Sequence, residues 1–331
     1  MARALALTSG GLDSILAAKL IADQGIEVTG ICFVSAFFGS RNAEKMAKQI
    51  NMPLITIDFT EEHLKMTKSP KHGYGKNMNP CIDCHAMMLN YAGKYMEEHG
   101  YDFMITGEVL NQRPMSQNIK SLETVKKESG YEDKILRPLS ALKLPPTQME
   151  KDGIVDRSKL LGFTGKTRKP QIELAKKMGI IDYPSPAGGC FLTEPNYGRR
   201  LKDLYKHSKD EADKSDVMLL NIGRHFRLSE NIKVISTRTE EEYKTLKELM
   251  TKDMWIFNTA NHKGSTIVLK AAESYEPAYD EISLAAAITA RYSKGKDEKE
   301  VLIKYKKPGE KEDFYLNIEP ATDEYIKQYM L

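Results

Sequence analysis

The hydrophobic pattern in the first half of the chain alternates short apolar runs with longer amphipathic segments. The run ALALTS (4–9) ends at two glycines, and the segment 12–25 then repeats apolar residues at the spacing of one helical face. The same pattern predicts strands at 27–34, 53–59 and 102–108, and helices at 43–50 and 86–100. Strands separated by helices indicate an α/β fold with a mostly parallel sheet, which binds ligands beyond the carboxyl ends of its strands.

The second half of the chain has a different pattern. It follows a charged stretch at 199–216 that is either a helix or a linker. Strands are predicted at 233–238, 300–307 and 313–320 and as a turn-linked pair within 253–270, with helices at 240–250 and 281–296. We therefore expect two domains, a parallel-sheet α/β domain at 1–205 and a smaller α+β domain at 206–331.

Composition and charge narrow the class of protein. The 331 residues are 41% hydrophobic and 29% charged, which is ordinary for a globular protein, and no apolar run approaches the roughly 20 residues that span a bilayer. The amino terminus lacks the features of a secretory signal, so we expect a cytoplasmic protein with no membrane partner. A net charge of +3 permits nucleic-acid binding without requiring it.

The turn SGGLDS (9–14) follows the first predicted strand and begins the first predicted helix. Gly10 and Gly11 allow several backbone N–H groups to converge on an anion, and the helix adds its positive end. Ser9 and Ser14 offer hydroxyls, and Asp13 is able to hold a magnesium ion or a loop amide. An ordinary turn with a capping Asp is the alternative interpretation.

A second glycine-containing segment is not a phosphate loop. GFTGKT (162–167) has two residues between its glycines where the Walker motif has four, and we interpret it as a basic loop. It ends the Pro-, Gly- and Lys-rich segment 142–169, which either grips RNA or only connects elements; we expect a mobile segment near the active site.

The four cysteines differ in their surroundings. Cys32 lies inside the apolar run GICFV and is expected to be buried in the core. Cys81 and Cys84 form a C-x-x-C pair just before a predicted helix, whose N-terminus favours thiolates, and Cys190 follows two glycines on an accessible loop. In a cytoplasmic protein this pattern favours metal or redox chemistry over a structural disulfide.

Three loop cysteines fit more than one chemistry. His85 is able to complete a zinc site with them, since structural zinc takes four ligands. A redox or persulfide site would use one cysteine to carry sulfur and another to resolve it. A [4Fe–4S] cluster held by three cysteines would leave one iron open to an exogenous ligand such as sulfide. The residues alone leave these alternatives open.

Several motifs, taken in order, resemble a known superfamily. SGGLDS matches the signature of the PP-loop ATP pyrophosphatases, whose fold is adenine nucleotide alpha hydrolase-like. Together with NPCIDCH, ITGEVLNQRPMSQN, ILRPL and SPAGGC it is similar to the PP-loop enzymes that thiolate tRNA, namely the 4-thiouridine synthetases and the 2-thiouridylases. The resemblance covers residues 1–205 and implies an enzyme that activates a uridine carbonyl as an adenylate, which sulfur then attacks to displace AMP.

The resemblance also implies site residues and cofactors. ATP and Mg²⁺ are expected as cofactors, with ATP held by Ser9, Gly10, Gly11, Asp13, Ser14, Gly107 and Gln112. Cys81, Cys84 and Cys190 are expected to be catalytic together with Asp13 and to hold an oxygen-sensitive [4Fe–4S] cluster, which we favour over persulfide chemistry. Gly107, Glu108, Gln112 and Ser116 lie on one loop, where they either face the nucleotide or a flipped base or only stabilise the loop.

The second half resembles the NFACT-type RNA-binding domain in GRHFRLSENIKVISTRTEEE, HKGSTIVLK and AAAITARYSKGK. This implies tRNA as a partner. Candidate phosphate contacts are Arg224, His225, Arg227, Arg238, His262, Lys263, Arg291, Lys294 and Lys296. Singly, each of these residues is equally well explained as a solvated polar side chain.

The organisation departs from both thiolating families. No segment precedes the PP-loop and no cysteine follows Cys190, so we expect the NFACT-like half to bind tRNA and free sulfide or an external carrier to donate sulfur. Uridine 8, as 4-thiouridine, is preferred over 2-thiolation at position 34, and a homodimer is a candidate oligomeric state. The alternatives are a ligase-like activity on a small acid, and an RNA-binding or quality-control protein on a PP-loop scaffold.

Overall fold

The computed structural model of the protein describes residues 1–185, 189–208 and 212–331. The chain divides into two compact units, Met1–Glu194 and Pro195–Leu331. The expected boundary at 205/206 falls inside a helix, Pro195–His207, whose Arg200 donates to the Leu220 carbonyl at 2.9 Å. This contact ties the helix to the second unit, so the boundary lies before the helix and not near its end.

The first unit is built on a parallel sheet of five strands in the order β3-β2-β1-β4-β5, which confirms the predicted α/β class. Its strands are β1 (Arg3–Leu7), β2 (Glu27–Val34), β3 (Leu54–Asp58), β4 (Phe103–Thr106) and β5 (Ile135–Leu136). Its helices are α1 (Leu12–Ala22), α2 (Arg41–Gln49), α3 (Thr60–Lys68), α4 (Cys81–His99), α5 (Ile119–Ser129), α6 (Gln148–Lys151) and α7 (Lys169–Lys177).

Helices cover both faces of this sheet, so β1 is buried on both sides. Ala4 and Ala6 lie in one core with residues of α1 and α7, whereas Leu5 lies in a second core with residues of α4. Side chains alternate between the faces of a strand, so a continuous apolar run such as ALAL is typical of a strand packed between two helical layers. This arrangement places the loop after β1 at the carboxyl edge of the sheet.

The segment 142–169 is packed onto the first unit, so the expectation of a mobile segment was wrong. It contains α6 and a short 3₁₀ helix, Arg157–Lys159. Met149, Val155 and Leu160 are at most 3% exposed and belong to the core beside α1. These three apolar side chains hold the segment down because their exposure would cost roughly 2 kcal/mol each.

The second unit contains an antiparallel sheet of six strands in the order β11-β10-β8-β9-β7-β6, which confirms the predicted α+β domain. Its strands are β6 (Arg224–Arg227), β7 (Ile232–Ser236), β8 (Trp255–Thr259), β9 (Ile267–Ala271), β10 (Val301–Lys306) and β11 (Phe314–Ile318). Its helices are α8 (Pro195–His207), α9 (Lys214–Leu219), α10 (Glu240–Leu249), α11 (Tyr279–Arg291) and α12 (Asp323–Lys327). In the part of the chain that the structure describes, none of the helices combines the length and apolarity needed to cross a bilayer.

One histidine of the first unit is buried without polar contacts. His63 on α3 is 0% exposed, and its ring stacks on Phe59 with centroids 4.8 Å apart and meets the Phe37 ring edge-on at 5.2 Å. Neither ring nitrogen has a hydrogen-bond partner among the described residues. Burial lowers the pKa of His63 to about 4, because protonation would place an unpaired charge among aromatic rings.

This histidine predicts an acid-sensitive fold. Between pH 6.5 and 4 the unfolded chain binds a proton at this position and the folded chain does not. The free energy of unfolding is therefore highest above pH 6.5 and decreases as the pH is lowered towards 4. From pH 7 to pH 5 we expect a loss of about 2 kcal/mol, which urea unfolding at the two pH values measures. His63→Leu should reduce the loss by this amount, leaving the part due to His225, whose pKa burial also lowers, and a control at the exposed His99, His99→Gln, should retain the full loss. An equal loss in all three proteins would contradict the assignment.

Candidate nucleotide, thiol and RNA sites

The turn after β1 is shaped by one glycine that the fold requires and one that it does not. Gly10 has a φ of 77°, and a Cβ there would lie 2.2 Å from the Asn42 carbonyl carbon at the start of α2. Gly11 has a φ of −73°, and the nearest atom to a Cβ would be the Ser9 hydroxyl at 3.6 Å. The protein alone therefore explains Gly10, whereas Gly11 leaves open space beside the turn.

The two serines of the turn have different roles. The Ser14 hydroxyl is buried, donates to the Gly11 carbonyl at 2.8 Å and lies 3.1 Å from the Thr8 hydroxyl, which accepts from the Gly10 N–H. Ser9 is exposed. Of the two hydroxyls expected to contact ATP, the Ser14 hydroxyl thus stabilises the turn from inside, and the Ser9 hydroxyl faces solvent.

Asp13 is held by the loop after β4. Gln112 Nε2 donates to Asp13 Oδ2 at 2.7 Å, while Asp13 Oδ1 is buried and has no hydrogen-bond partner in the described ranges. Burial raises the pKa of Asp13, against the opposing effects of the Gln112 hydrogen bond and of the Arg168 and Arg113 charges. A carboxylate with one fixed oxygen and one unpaired oxygen is suited to a cation.

Gly107 brings this loop into backbone contact with the turn. A Cβ at Gly107 would lie 2.4 Å from both Cα and N of Ser14 and 2.6 Å from the Asp13 carbonyl carbon. No side chain fits there. The geometry therefore gives Gly107 a packing role at the nucleotide site, while Gln112 is the residue of this loop that contacts Asp13.

Glu108 and Ser116 are buried, which favours the alternative that they stabilise the loop over the alternative that they face a ligand. Glu108 Oε2 accepts from Arg137 Nε at 2.8 Å, and its Oε1 lies 3.0 Å from His85 Nδ1. Burial disfavours the charge, but Arg137 and His85 outweigh this effect and hold the pKa of Glu108 well below its usual range. Because its carboxylate is fully engaged by these partners, Glu108 connects α4 to the strands instead of binding a ligand.

The C-x-x-C pair lies on α4 and not before it. Cys81 is the first residue of the helix and Cys84 is buried in its first turn. Burial, followed by the nearby Cys190 and Cys81 thiols, raises the pKa of Cys84 well above its usual value. Burial likewise raises the pKa of Cys190 to about 12. For Cys84 the expected helix-stabilised thiolate was therefore wrong, because desolvation exceeds the helix-end effect, whereas Cys190 is partly exposed.

The three thiols are neighbours in the first unit. The charges of Cys81 and Cys190 both act on Cys84, and Asn79 Nδ2 lies 3.2 Å from Cys81 Sγ. Within the described residues, no group of three or more His, Cys, Asp or Glu side chains is arranged to hold a metal ion. Residues 186–188 of the SPAGGC motif lie outside the described residues. Cys32 is 1% exposed, as expected of a core residue.

Arg113 links the thiols to the turn. Its positive charge lowers the pKa of Asp13 and also that of Cys190, in each case against the larger effect of burial. A charge acts on both groups only when it lies near both. Asp13 and Cys190 therefore both lie within the range of the Arg113 charge.

A basic pocket of about 310 Å³ lies in the second unit. The Arg224 guanidinium lies 4.4 Å from the centroid of the Tyr292 ring. Arg238 and Arg291 are held by Glu242 and Asp323, respectively. The lining residues are Arg224, Arg238, Ser265, Arg291, Tyr292, Ser293 and Lys296. Four cations around a concave surface, two of them with carboxylate partners, leave a net positive charge suited to phosphate.

Other predicted phosphate contacts lie beside this pocket or away from it. Lys263 and Lys294 are exposed on adjoining turns, joined by a backbone hydrogen bond of 2.9 Å, while His262 pairs with Glu298 at 3.3 Å. His225 is 0% exposed and bonds the Ile222 carbonyl at 2.8 Å. Arg227 donates twice to the buried Asp203, at 3.0 and 2.7 Å.

His225 is therefore an interior residue, and its prediction as a phosphate contact was wrong; Arg227 is partly exposed, engaged by Asp203 and outside the basic pocket, and its RNA contact stays a prediction. β6 alternates its side chains between the faces of the sheet, so neighbouring basic residues need not share a surface. Sequence reasoning also missed Tyr292, Ser265 and Ser293, which line the pocket. Tyr292 and Ser293 lie within the quoted motif ARYSKGK, where an aromatic ring between basic residues was the available signal.

Two family models match the chain. The model described as Thiamine biosynthesis protein (ThiI) matches residues 1–176, and the model described as NFACT protein RNA binding domain matches residues 223–330. The first match ends near α7 and includes the turn, the C-x-x-C pair and the loop after β4. The second includes every residue of the basic pocket.

Proteins similar to this chain include two curated relatives. A tRNA sulfurtransferase of Desulfurococcus amylolyticus is 31% identical over 55% of this chain and 34% of its own length. A tRNA-specific 2-thiouridylase MnmA 1 of Clostridium botulinum is 25% identical over 66% of this chain and 63% of its own length. The chain thus spans about a third to just under two thirds of these relatives.

A solved structure is also similar to part of the chain. It is a crystal structure of a 4-thiouridine synthetase–RNA complex with bound ATP, 20% identical, covering 54% of this chain and 41% of that chain with a TM-score of 0.39. Membership of a family follows from the model that matches residues 1–176, more than half of the 331 residues. The chain belongs to the ThiI family.

Proposed function

We propose that this protein is an ATP-dependent tRNA sulfurtransferase, which adenylates a uridine carbonyl oxygen and replaces that oxygen with sulfur. The observation that carries the proposal is the common electrostatic influence of Arg113 on Asp13 and Cys190. Activation by ATP and delivery of sulfur must happen at one carbon atom, so the groups that serve the two steps have to lie close together.

The chemistry consists of two displacements. The uridine carbonyl oxygen attacks the α-phosphorus of ATP, and the bond to pyrophosphate breaks. A sulfur nucleophile then forms a bond to the activated ring carbon, and the former uridine oxygen leaves with AMP. In this chain the turn 9–14 would bind the polyphosphate through backbone N–H groups, and Asp13 Oδ1 would contact Mg²⁺.

The donor set of the three cysteines fits an iron–sulfur cluster. Soft thiol ligands suit iron, and binding of iron would release the protons of the Cys84 and Cys190 thiols. We propose that Cys81, Cys84 and Cys190 hold a [4Fe–4S] cluster, which when bound would supply an open iron for sulfide. A persulfide on Cys190, loaded by an external persulfide carrier whose own thiol is the leaving group, is the alternative. Free sulfide or an external carrier would supply the sulfur to the cluster.

We further propose that the basic pocket binds tRNA phosphates and that the target is uridine 8 as 4-thiouridine, in preference to 2-thiolation at position 34. Support for RNA binding comes from the match of the second unit to an RNA-binding domain and from the positive charge of the pocket. The free thiols of the chain fit a reducing compartment, so we propose that the reaction takes place in the cytoplasm.

The two glycines with different surroundings give the first test of ATP binding. Gly107→Ala should destabilise the first unit by about 2 kcal/mol or more, because the new Cβ meets backbone atoms of Asp13 and Ser14. Gly11→Ala should fold with a loss of about 1 kcal/mol or less but should not bind Mg·ATP, since its Cβ fills the space beside the turn. Thermal unfolding and calorimetric titration with Mg²⁺ and α,β-methylene-ATP measure both effects. Wild-type affinity in Gly11→Ala would argue against a phosphate site at the turn.

The sulfur step is tested by anaerobic purification, followed by iron and sulfide analysis and a tRNA thiolation assay with ATP, Mg²⁺ and sulfide. We expect about four irons per chain in the wild type, and loss of both iron and thiouridine in Cys81→Ala and Cys190→Ala. Cys32→Ala is the matched control and should keep iron and activity. Nucleoside analysis and mapping of the modified position separate 4-thiouridine at position 8 from 2-thiouridine at position 34.

Each outcome of the thiolation assay has a consequence. Thiouridine without iron, formed when an external persulfide carrier replaces sulfide as donor and lost in Cys190→Ala, would replace the cluster with persulfide chemistry. tRNA binding without pyrophosphate release or thiouridine, in wild-type protein that contains iron, would overturn the sulfurtransferase proposal and favour an RNA-binding role. ATP-dependent adenylation of a small acid without RNA would indicate a ligase instead.

The basic pocket is tested by the salt dependence of tRNA binding. Arg224→Ala and Lys296→Ala should each weaken tRNA binding and lower the slope of log K against log salt by roughly 1. Each variant has one cation fewer to contact a phosphate, so tRNA releases fewer counterions when it binds. Lys311→Ala, at an exposed lysine outside the pocket, should change neither value. Arg227→Ala should lower the Tm instead, since it leaves Asp203 without its bidentate partner. A normal slope in both pocket variants would place the RNA elsewhere.

A further inference from the structure

A chain of hydrogen bonds extends from Asp13 into α7. Gln112 Nε2 donates to Asp13 Oδ2 at 2.7 Å, and Gln171 Nε2 donates to Gln112 Oε1 at 2.7 Å. Gln171 is 1% exposed. We propose that Gln171 is a positioning residue of the nucleotide site, which acts through Gln112 to hold Asp13 with Oδ1 directed at Mg·ATP. The inference rests on the proposed function, because it assumes that the turn binds ATP.

The direction of this chain is fixed by its carboxylate end. An ionised carboxylate only accepts hydrogen bonds, so the Gln112 amide must present its NH₂ group to Asp13. Gln112 Oε1 then faces Gln171 and requires a donor, which the Gln171 NH₂ group provides. Gln171 Oε1 is consequently left as an acceptor. One orientation of each amide satisfies the whole chain, and this makes Gln171 the residue that determines the orientation of Gln112.

Three buried atoms near this chain lack hydrogen-bond partners within the described residues: Asp13 Oδ1, Gln171 Oε1 and Arg168 Nε. An unpaired buried polar atom costs about 1–3 kcal/mol, so three of them in one region indicate a ligand that pairs with them. The ligand must offer a cation to a carboxylate, a donor to an amide oxygen and an acceptor to a guanidinium. Mg·ATP offers all three, through the metal and its bound water, the ribose hydroxyls and the phosphate oxygens.

The segment before α7 brings Arg168 and Gln171 to this position. Gly165 N donates to the Leu110 carbonyl at 2.8 Å, and the Thr164 hydroxyl donates to the same carbonyl at 3.1 Å. Phe163 N donates to the Leu139 carbonyl at 2.7 Å. GFTGKT is therefore fixed alongside the loop that carries Gln112. Although the segment is not a Walker loop, it contributes to the nucleotide site by fixing the start of α7.

The test replaces Gln171 with side chains of similar size. Gln171→Glu cannot donate to Gln112, so the Gln112 amide has to turn over and release Asp13; Gln171→Met removes the hydrogen bond without adding charge. We expect both variants to need about tenfold more Mg²⁺ for half-maximal binding of α,β-methylene-ATP, as is typical when a group supporting a metal ligand is lost. Gln148→Glu, at an exposed glutamine of the preceding segment, is the control and should match the wild type.

A double-mutant cycle separates positioning from a structural role. In an Asp13→Asn background, Gln171→Met should have no further effect on the Mg²⁺ requirement, because the group that Gln171 positions is already altered. An additive effect, an unchanged Mg²⁺ requirement, or a loss of binding that follows the fall in Tm would overturn the inference. If Gln171→Glu does not fold, the Gln171→Met titration decides. Wild-type protein that binds no Mg·ATP analogue would instead show that the proposed function itself has failed.

Discussion

The close approach of backbones at Gly107 is the constraint on which the nucleotide site depends. A parallel sheet brings the loops after β1 and β4 to one edge, but side chains ordinarily keep such loops apart. Here a Cβ would lie 2.4 Å from Ser14, so the absence of a side chain lets the loop after β4 rest on the first turn of α1. Gln112, which follows on that loop, is then within hydrogen-bonding distance of Asp13. The backbone contact itself contributes little to the free energy of folding. Its effect is to bring Gln112 close enough to Asp13 to form a hydrogen bond.

A buried ion pair positions the thiols, as the backbone contact at Gly107 positions the turn. Glu108 lies next to Gly107 in the sequence and pairs with Arg137 beyond β5 and with His85 on α4. Removal of one member would leave an uncompensated buried charge, at a cost of several kcal/mol. The pair therefore fixes the first turn of α4, with Cys81 and Cys84, relative to the strands that carry the turn. His85, a candidate zinc ligand, contacts Glu108 through Nδ1, which leaves Nε2 as the ring nitrogen able to bind a metal.

The sequence predicted those features that depend on local pattern. The strand–turn–helix at SGGLDS, the parallel sheet and the antiparallel pairs of the second unit all follow from spacing and turn chemistry. Features that depend on contacts between distant segments were missed or wrong. Gln171 lies 59 residues from Gln112, on α7, just after the segment GFTGKT that was excluded because its glycine spacing is not that of a Walker loop. His225 was taken for a surface residue because its neighbours are basic, whereas the alternation of β6 turns it inward. The raised thiol pKa values depend on burial, which no spacing of cysteines reveals.

The thiols and the nucleotide turn are incomplete in complementary ways. Within the described residues, Asp13 Oδ1 and Arg168 Nε are buried without hydrogen-bond partners, and the pKa values of Cys84 and Cys190 are raised, so their thiols stay protonated. The unpaired polar atoms cost free energy in the protein alone, and a stable fold tolerates such a cost where binding offsets it. The charge of Arg113 acts on both Asp13 and Cys190. We therefore interpret this region as a binding site. A polyphosphate with its metal ion would bind beside the turn, and a soft electrophile or metal ion would bind beside the thiols.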